Sequence, residues 1–273
     1  YDNDGWPDLF VTNTEGVNFL YHNDGHGSFT RILEGPVATD PGISKGSAWG
    51  DINNDGWLDL YVARNGADAL YLNTGGRGFV RLNAPAFALA DNSLACAWTD
   101  ANRDGFLDLV VANYGAPANL FINAGNAAHW LQIRCIGSRS NRSAIGARVQ
   151  VKAAIQGNAF WQTREITSQS GHSGQSTLLA HFGLGDAATV DSLRVLWPSG
   201  QVQVMTSLMP NEFMTIIEPA VTPVELAAFT AAVAEQRVTL RWQTLTEENT
   251  YGFEIERREG DHSWGKIGFV AAH

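Results

Sequence analysis

Asp51-Ile52-Asn53-Asn54-Asp55-Gly56-Trp57-Leu58-Asp59-Leu60 aligns without a gap on Asp100-Ala101-Asn102-Arg103-Asp104-Gly105-Phe106-Leu107-Asp108-Leu109. Tyr1-Asp2-Asn3-Asp4-Gly5-Trp6-Pro7-Asp8-Leu9 is a third copy without its first position. The flanks repeat too. Ser47-Ala48-Trp49 precedes the second loop as Ala95-Cys96-Ala97-Trp98 precedes the third, and Leu60-Tyr61-Val62-Ala63 follows as Leu109-Val110-Val111-Ala112 does. Tyr21, Tyr71 and Phe121 recur every 50 residues, as do Asn23, Asn73 and Asn123, so the unit is about 50 residues long.

One unit reads as an apolar run, the acidic loop, Leu60-Tyr61-Val62-Ala63, Leu70-Tyr71-Leu72, the turn Asn73-Thr74-Gly75-Gly76-Arg77-Gly78, and Phe79-Val80-Arg81-Leu82. That is four short strands joined by turn chemistry. Small sheets in tandem bury their faces only against one another, so the fold predicted is all-β, an incomplete β-propeller of about three four-stranded blades. A closed ring takes roughly four to eight blades. The chain opens at Tyr1 inside a motif and stops at His273 inside a strand pattern, and so reads as a fragment; the lack of a leader carries no information.

The acidic loops predict calcium. Oxygen ligands at positions 1, 3 and 5, a backbone carbonyl at 7 and a carboxylate at 9 wrap a cation of that size. Asp51, Asn53, Asp55, the Trp57 carbonyl and Asp59 fill these places in the second loop. Asp100, Asn102, Asp104, the Phe106 carbonyl and Asp108 fill them in the third, and Asp2, Asp4, the Trp6 carbonyl and Asp8 in the first. Glycine at position 6 allows the turn. An EF-hand is excluded, because position 12 is Val62 or Val111 inside β-branched runs rather than Glu before a helix. Asn/Asp-rich turns form for backbone reasons alone, but three unneutralised carboxylates recurring in register would repel one another. Mg²⁺ suits such a cage less well than Ca²⁺.

These loops resemble the FG-GAP/VCBS repeats of integrin-α-like propellers, a likeness covering about residues 1–125 that implies a structural role for the calcium. Over 1–127 the chain is therefore assigned to calcium-binding propeller repeats.

From His129-Trp130-Leu131-Gln132-Ile133-Arg134 the period is lost and strand alternation takes over. Leu131, Ile133 and Cys135 are predicted to face one way, with Gln132 and Arg134 opposite; Leu193, Val195 and Trp197 alternate with Arg194 and Leu196. Pro198-Ser199-Gly200 reads as a hairpin turn into Gln201-Val202-Gln203-Val204. Ser140–Val149, Gly171-His172-Ser173-Gly174-Gln175-Ser176, His181-Phe182-Gly183-Leu184-Gly185 and Leu196–Gly200 occur in the order of an ASPIC/UnbV domain. The chain resembles that domain over 128–218, which implies a small β-sandwich-like interaction module. Such domains follow FG-GAP/VCBS propellers in the cartilage acidic protein family and in bacterial relatives, some encoded with enediyne biosynthesis.

Nothing in the sequence assembles an active site. His172 and His181 with Ser170, Ser173 or Ser176 suggest a base and nucleophile, but no oriented carboxylate, oxyanion hole or G-x-S-x-G elbow accompanies them. As a metal pair the two histidines lack a third ligand at usual spacing. Gly183-Leu184-Gly185 is too little for a phosphate loop. Cys96 and Cys135 read as buried free thiols, and Asn141-Arg142-Ser143 as a chance match to a glycosylation acceptor.

Glu218-Pro219-Ala220-Val221-Thr222-Pro223 reads as a linker. Beyond it, Pro223-Val224-Glu225-Leu226, Trp242 and Tyr251–Arg257 resemble a fibronectin-type-III-like domain of secreted bacterial proteins, of which 219–273 would hold about half.

Eighteen basic against 28 acidic residues, a formal charge of −10, argue against nucleic acid, and no apolar run is long enough to insert in a membrane. The reading that unites these features is a non-catalytic, calcium-stabilised scaffold, secreted or on a bacterial cell surface, that binds an extracellular protein or glycan. The alternatives are an accessory protein or enzyme of enediyne-like biosynthesis, or a propeller lectin using Trp49, Trp57 or Trp98 for stacking.

Overall fold

The computed structural model describes residues 1–88, 92–220, 226–234, 237–244, 252–258 and 263–271. The chain forms two compact units, Tyr1–Glu218 and Pro219–His273.

In the first unit the repeats fold into three antiparallel sheets. The first holds β1 (Leu9–Val11), β2 (Phe19–Asn23) and β3 (Phe29–Ile32) in order. The second holds β4 (Ile43–Gly50), β5 (Asp59–Asn65), β6 (Ala69–Asn73) and β7 (Phe79–Leu82). The third holds β8 (Ser93–Thr99), β9 (Asp108–Asn113) and β10 (Asn119–Phe121). The second and third acidic loops each join two strands, as the repeat predicts, but among the described residues only the second blade has all four. After β10 the chain runs through 122–128 directly into the next domain, leaving the third blade without a counterpart of β7.

The blades stack because strand β5 is apolar on both faces. Leu60 and Val62 point into a cluster with Leu20, Val37 and Tyr71, partly covered by Phe10 and Ile32 of the first blade. Tyr61 and Ala63 point the opposite way, onto Trp98, Leu109 and Val111 of the third blade. Period-2 alternation thus gives one strand two neighbours, and each aliphatic side chain fully removed from water stabilises by about 1.5–3 kcal/mol.

The following domain packs two sheets around one core. Strands β11 (His129–Ile136), β14 (Ala180–Gly185) and β17 (Glu212–Ile217) form one sheet in the order β14-β11-β17. Strands β12 (Arg148–Ile155), β13 (Asn158–Glu165), β15 (Val190–Leu196) and β16 (Val202–Leu208) form the other, in the order β13-β12-β15-β16. Leu131, Ile133, Val149, Val151, Phe182, Leu184, Leu193, Val195 and Trp197 meet between them. The hairpin at 198–200 forms as expected, with Leu196 paired to Val202. Both cysteines are buried free thiols. Gln132 departs from the alternation: it is buried rather than solvated, because its face of β11 lies against the third acidic loop.

The parallel pairing of β17 on β11 closes this domain and carries Glu218 into it. Glu218, only 1% exposed, accepts hydrogen bonds from the N–H groups of Ser138, Arg139 and Ser140 and the hydroxyls of Ser140 and Ser199. Burial opposes its ionisation, but Ser199 and then the three N–H groups outweigh it and hold the carboxyl at about 2. Asn141 closes the same loop by bonding both the N–H and the carbonyl of Ile145, so its amide is engaged.

In the second unit, β18 (Leu226–Ala234) pairs with β19 (Arg237–Thr244) and β20 (Gly252–Arg257) with β21 (Gly265–Ala271), Trp242 meeting Phe253 edge to face. Val221–Glu225 and Tyr251, which carry part of the linker and of the fibronectin-like likeness, lie outside the described residues, as does His273.

Glu218→Gln leaves buried N–H groups facing an amide, and should lower the thermal midpoint of the first unit by roughly 2–6 °C at pH 7. The folded carboxyl sits below its ordinary value of about 4.3, so this stability is complete above that pH and is lost as pH falls toward 2. Calorimetry should show the wild-type advantage shrinking over that window.

Candidate metal centres

The three acidic loops share one hydrogen-bond design. In the second, Asp51 accepts the N–H groups of Asp55 (3.1 Å) and Gly56 (2.8 Å), Asn53 Oδ1 accepts that of Asp55, and Asp55 accepts that of Trp57. Asp59 accepts the N–H groups of Ile52 and Asn73. The third loop repeats this residue for residue: Asp104 and Gly105 donate to Asp100, Asp104 to Asn102, Phe106 to Asp104, and Ala101 and Asn123 to Asp108. In the first, Asp4 donates to Asp2, Trp6 to Asp4, and Asn23 and Tyr1 N to Asp8. Gly5, Gly56 and Gly105 all have φ near +90°, and position 4 is left-handed too: Asn3, Asn54 and Arg103 have φ of 58°, 58° and 61°.

Asparagines tie loop to loop. Asn3 Nδ2 donates to the Gly56 carbonyl and Asn54 Nδ2 to the Gly105 carbonyl. The asparagines spaced by 50 do the same in reverse: Asn73 Nδ2 reaches the Tyr1 carbonyl and Asn123 Nδ2 the Ile52 carbonyl. Arg103 breaks the series, its guanidinium lying over Phe213 of the following domain.

That domain sits directly on the second and third loops. Gln132 Nε2 donates to Asp100 Oδ2 at 2.7 Å, His181 Nε2 lies 3.1 Å from the Gly105 carbonyl, and the Gly185 N–H donates to the Asn54 carbonyl at 2.7 Å. Trp57 stacks on Phe160 with centroids 4.9 Å apart. A Cβ at Gly183 would stand 2.1 Å from Asp51 Oδ2, and one at Gly105 only 1.8 Å from Trp130. Gly183-Leu184-Gly185 is thus a docking strand. The Gly171–Ser176 stretch does likewise: Ser176 Oγ accepts the Trp98 N–H and the Thr177 N–H donates to the Trp98 carbonyl. Apart from the glycines, no local sequence pattern marks these contacts.

The second loop holds its carboxylates out of water and close to one another. Burial, then the neighbouring Asp55, pushes Asp51 up to about 7, while Arg164 pulls the other way; burial and Asp51 push Asp59 up to about 8. Arg164 is itself lowered to about 10 by burial, and His181 to about 4, so the imidazole adds no charge. The donor set is hard oxygen, which fits Ca²⁺. Asp51, Asn53, Asp55 and Asp59 would hold it, as would Asp100, Asn102, Asp104 and Asp108 in the third loop. In the first loop, Asp2, Asp8 and His22 bring ligand atoms within 4.8 Å of one another, the one trio of acids, histidines or cysteines so close among the described residues.

Comparison with known families agrees with this layout. An FG-GAP-like repeat model matches residues 1–62 and 51–111, and an ASPIC and UnbV model residues 137–223. The chain carries FG-GAP-like repeats followed by an ASPIC and UnbV domain. Cartilage acidic protein 1 of Mus musculus is 40% identical over 76 residues, 27% of this chain and 12% of that protein. Cartilage acidic protein 1 of Homo sapiens is 37% identical over 87 residues, 30% and 13% respectively. The match thus spans a small part of these relatives.

Gly105→Ala and Gly5→Ala separate docking from backbone strain. At Gly5, φ is +96° and a Cβ meets nothing within 4 Å, so the change should cost about 1 kcal/mol. At Gly105 it must also displace Trp130 of the ASPIC and UnbV domain, adding about 1–3 kcal/mol. Denaturant unfolding of the two variants should show that gap.

Proposed function

We propose that this chain belongs to a secreted or cell-surface, non-catalytic scaffold. Calcium in the second and third FG-GAP loops locks the ASPIC and UnbV domain onto the blades, giving a rigid platform for an extracellular protein or glycan. The observation that carries this reading is Asp51: a loop carboxylate 1% exposed, enclosed between its own blade and Gly183 of the next domain, with Arg164 as its opposing charge. A divalent ion there neutralises the loop and fastens both domains at once.

One feature supports a scaffold over an enzyme and another supports it over a lectin. His181 is buried against Gly105, a poor setting for a catalytic base. Trp98 is buried with its Nε1 on the Ala48 carbonyl, and half-buried Trp57 gives one face to Phe160, so Trp98 offers no face for sugar and Trp57 at most one. Similarity to proteins named for cartilage supports an extracellular setting. No helix among the described residues is long and apolar enough to cross a membrane.

Thermal unfolding in calcium, magnesium and EDTA tests the metal. An ion that binds only the folded state stabilises by about 2.7 kcal/mol at a hundredfold excess over Kd. The midpoint should rise with calcium specifically, and Asp55→Ala combined with Asp104→Ala should abolish the rise. Equal midpoints in calcium and EDTA would remove the reading. Binding to arrayed glycans and immobilised extracellular proteins, lost in EDTA, is the expected sign of the platform.

A further inference from the structure

The first loop differs from its two copies by an imidazole. In the 50-residue register, Tyr21-His22-Asn23 corresponds to Tyr71-Leu72-Asn73 and Phe121-Ile122-Asn123, so His22 stands where the other blades have aliphatic residues. Its ring turns toward the acids: Nδ1 lies 3.1 Å from Asp2 Oδ2 and 3.4 Å from Asp8 Oδ1. Nε2 is 4.0 Å from Asp4 Oδ2, so Nδ1 is the nitrogen that reaches the cluster. That atom is shielded from solvent and has no hydrogen-bond partner. The Asp8 side chain is 3% exposed and fixed by the Asn23 N–H on Oδ1 and Tyr1 N on Oδ2. Asp2 uses Oδ1 for the Asp4 N–H, which leaves Oδ2 facing the imidazole.

These spacings suit a small ion with a nitrogen ligand. Zinc bonds of about 2.0–2.2 Å place the ligands of a tetrahedral site about 3.3–3.5 Å apart. Calcium takes six to eight oxygens at about 2.3–2.6 Å, whereas imidazole with carboxylates favours zinc and its neighbours. We propose that Asp2, Asp8 and His22 form a zinc site, so that one repeat array holds two classes of metal. The assignment is independent of what the second and third loops bind.

The test is calorimetric titration of the whole chain with Zn²⁺ in excess calcium at neutral pH, with Co²⁺ as a visible reporter of nitrogen ligation. One equivalent of Zn²⁺ should bind. His22→Leu, which installs the residue type of position 72, should weaken it at least about tenfold. The same variant should keep the wild-type unfolding midpoint in the absence of Zn²⁺, which shows that it has folded; His22→Gln serves as a second variant. Displacement of Zn²⁺ by calcium, absence of Zn²⁺ binding, or Zn²⁺ binding that survives both substitutions would overturn the proposal.

Discussion

The structure turns on the burial of Asp51. Taking a carboxylate out of water costs several kcal/mol unless it is paired and hydrogen-bonded. Two N–H groups, from Asp55 and Gly56, return part of that, and Arg164 a further part, yet the group remains pushed up to about 7. Desolvation therefore wins against every protein partner that Asp51 has. Because its neighbours include the second loop, the Gly183 backbone and the Arg164 strand, whatever restores the balance also holds blade and domain together.

Coupling then spreads through backbone carbonyls. Asn3 and Asn54 each grip the next loop, and Asn73 and Asn123 each reach back to the previous one, so hydrogen bonds run both ways between adjacent loops. In a repeat array, stability is close to a sum of unit and nearest-neighbour contributions. Here the nearest-neighbour contribution has a polar part at the loops and an apolar part at strand β5, whose alternate residues serve opposite blades. A change in one loop's geometry is felt first by the loops on either side.

Much of this was legible in the residues. Spacing of 50 announced the blades, and the acids with Gly56 and Gly105 announced the loops, because both are local patterns fixed by turn geometry and by period-2 alternation. The hidden part was what distant segments do to one another. Gln132 looked like a solvated strand residue, and only the arrival of Asp100 beside it makes it an interior one. Gly183 reads as half of a lone glycine pair, since its need for a bare backbone comes from Asp51 and Asn54, well over a hundred residues earlier. Glu218 looked like the start of a linker, although its carboxylate is the anchor of the 138–140 loop. His22 lies outside the acidic motif and joins it only through the β1–β2 pairing, so the motif itself does not reveal it.

The ASPIC and UnbV domain occupies the position that a further blade would take beside the third loop. Asn3 and Asn54 each find a glycine carbonyl in the next loop; at Arg103 that partner is replaced by the Phe213 ring, and the residue type changes to match. The Gly105 carbonyl, already bonded by Asn54, also receives His181, and Trp130 covers the space above Gly105. A solenoid or propeller edge left bare exposes unpaired backbone and apolar surface, and terminal units in such arrays carry a different face for that reason. In this protein the terminating surface is a folded domain rather than a modified repeat. That explains why its glycine- and histidine-bearing stretches lie where they do.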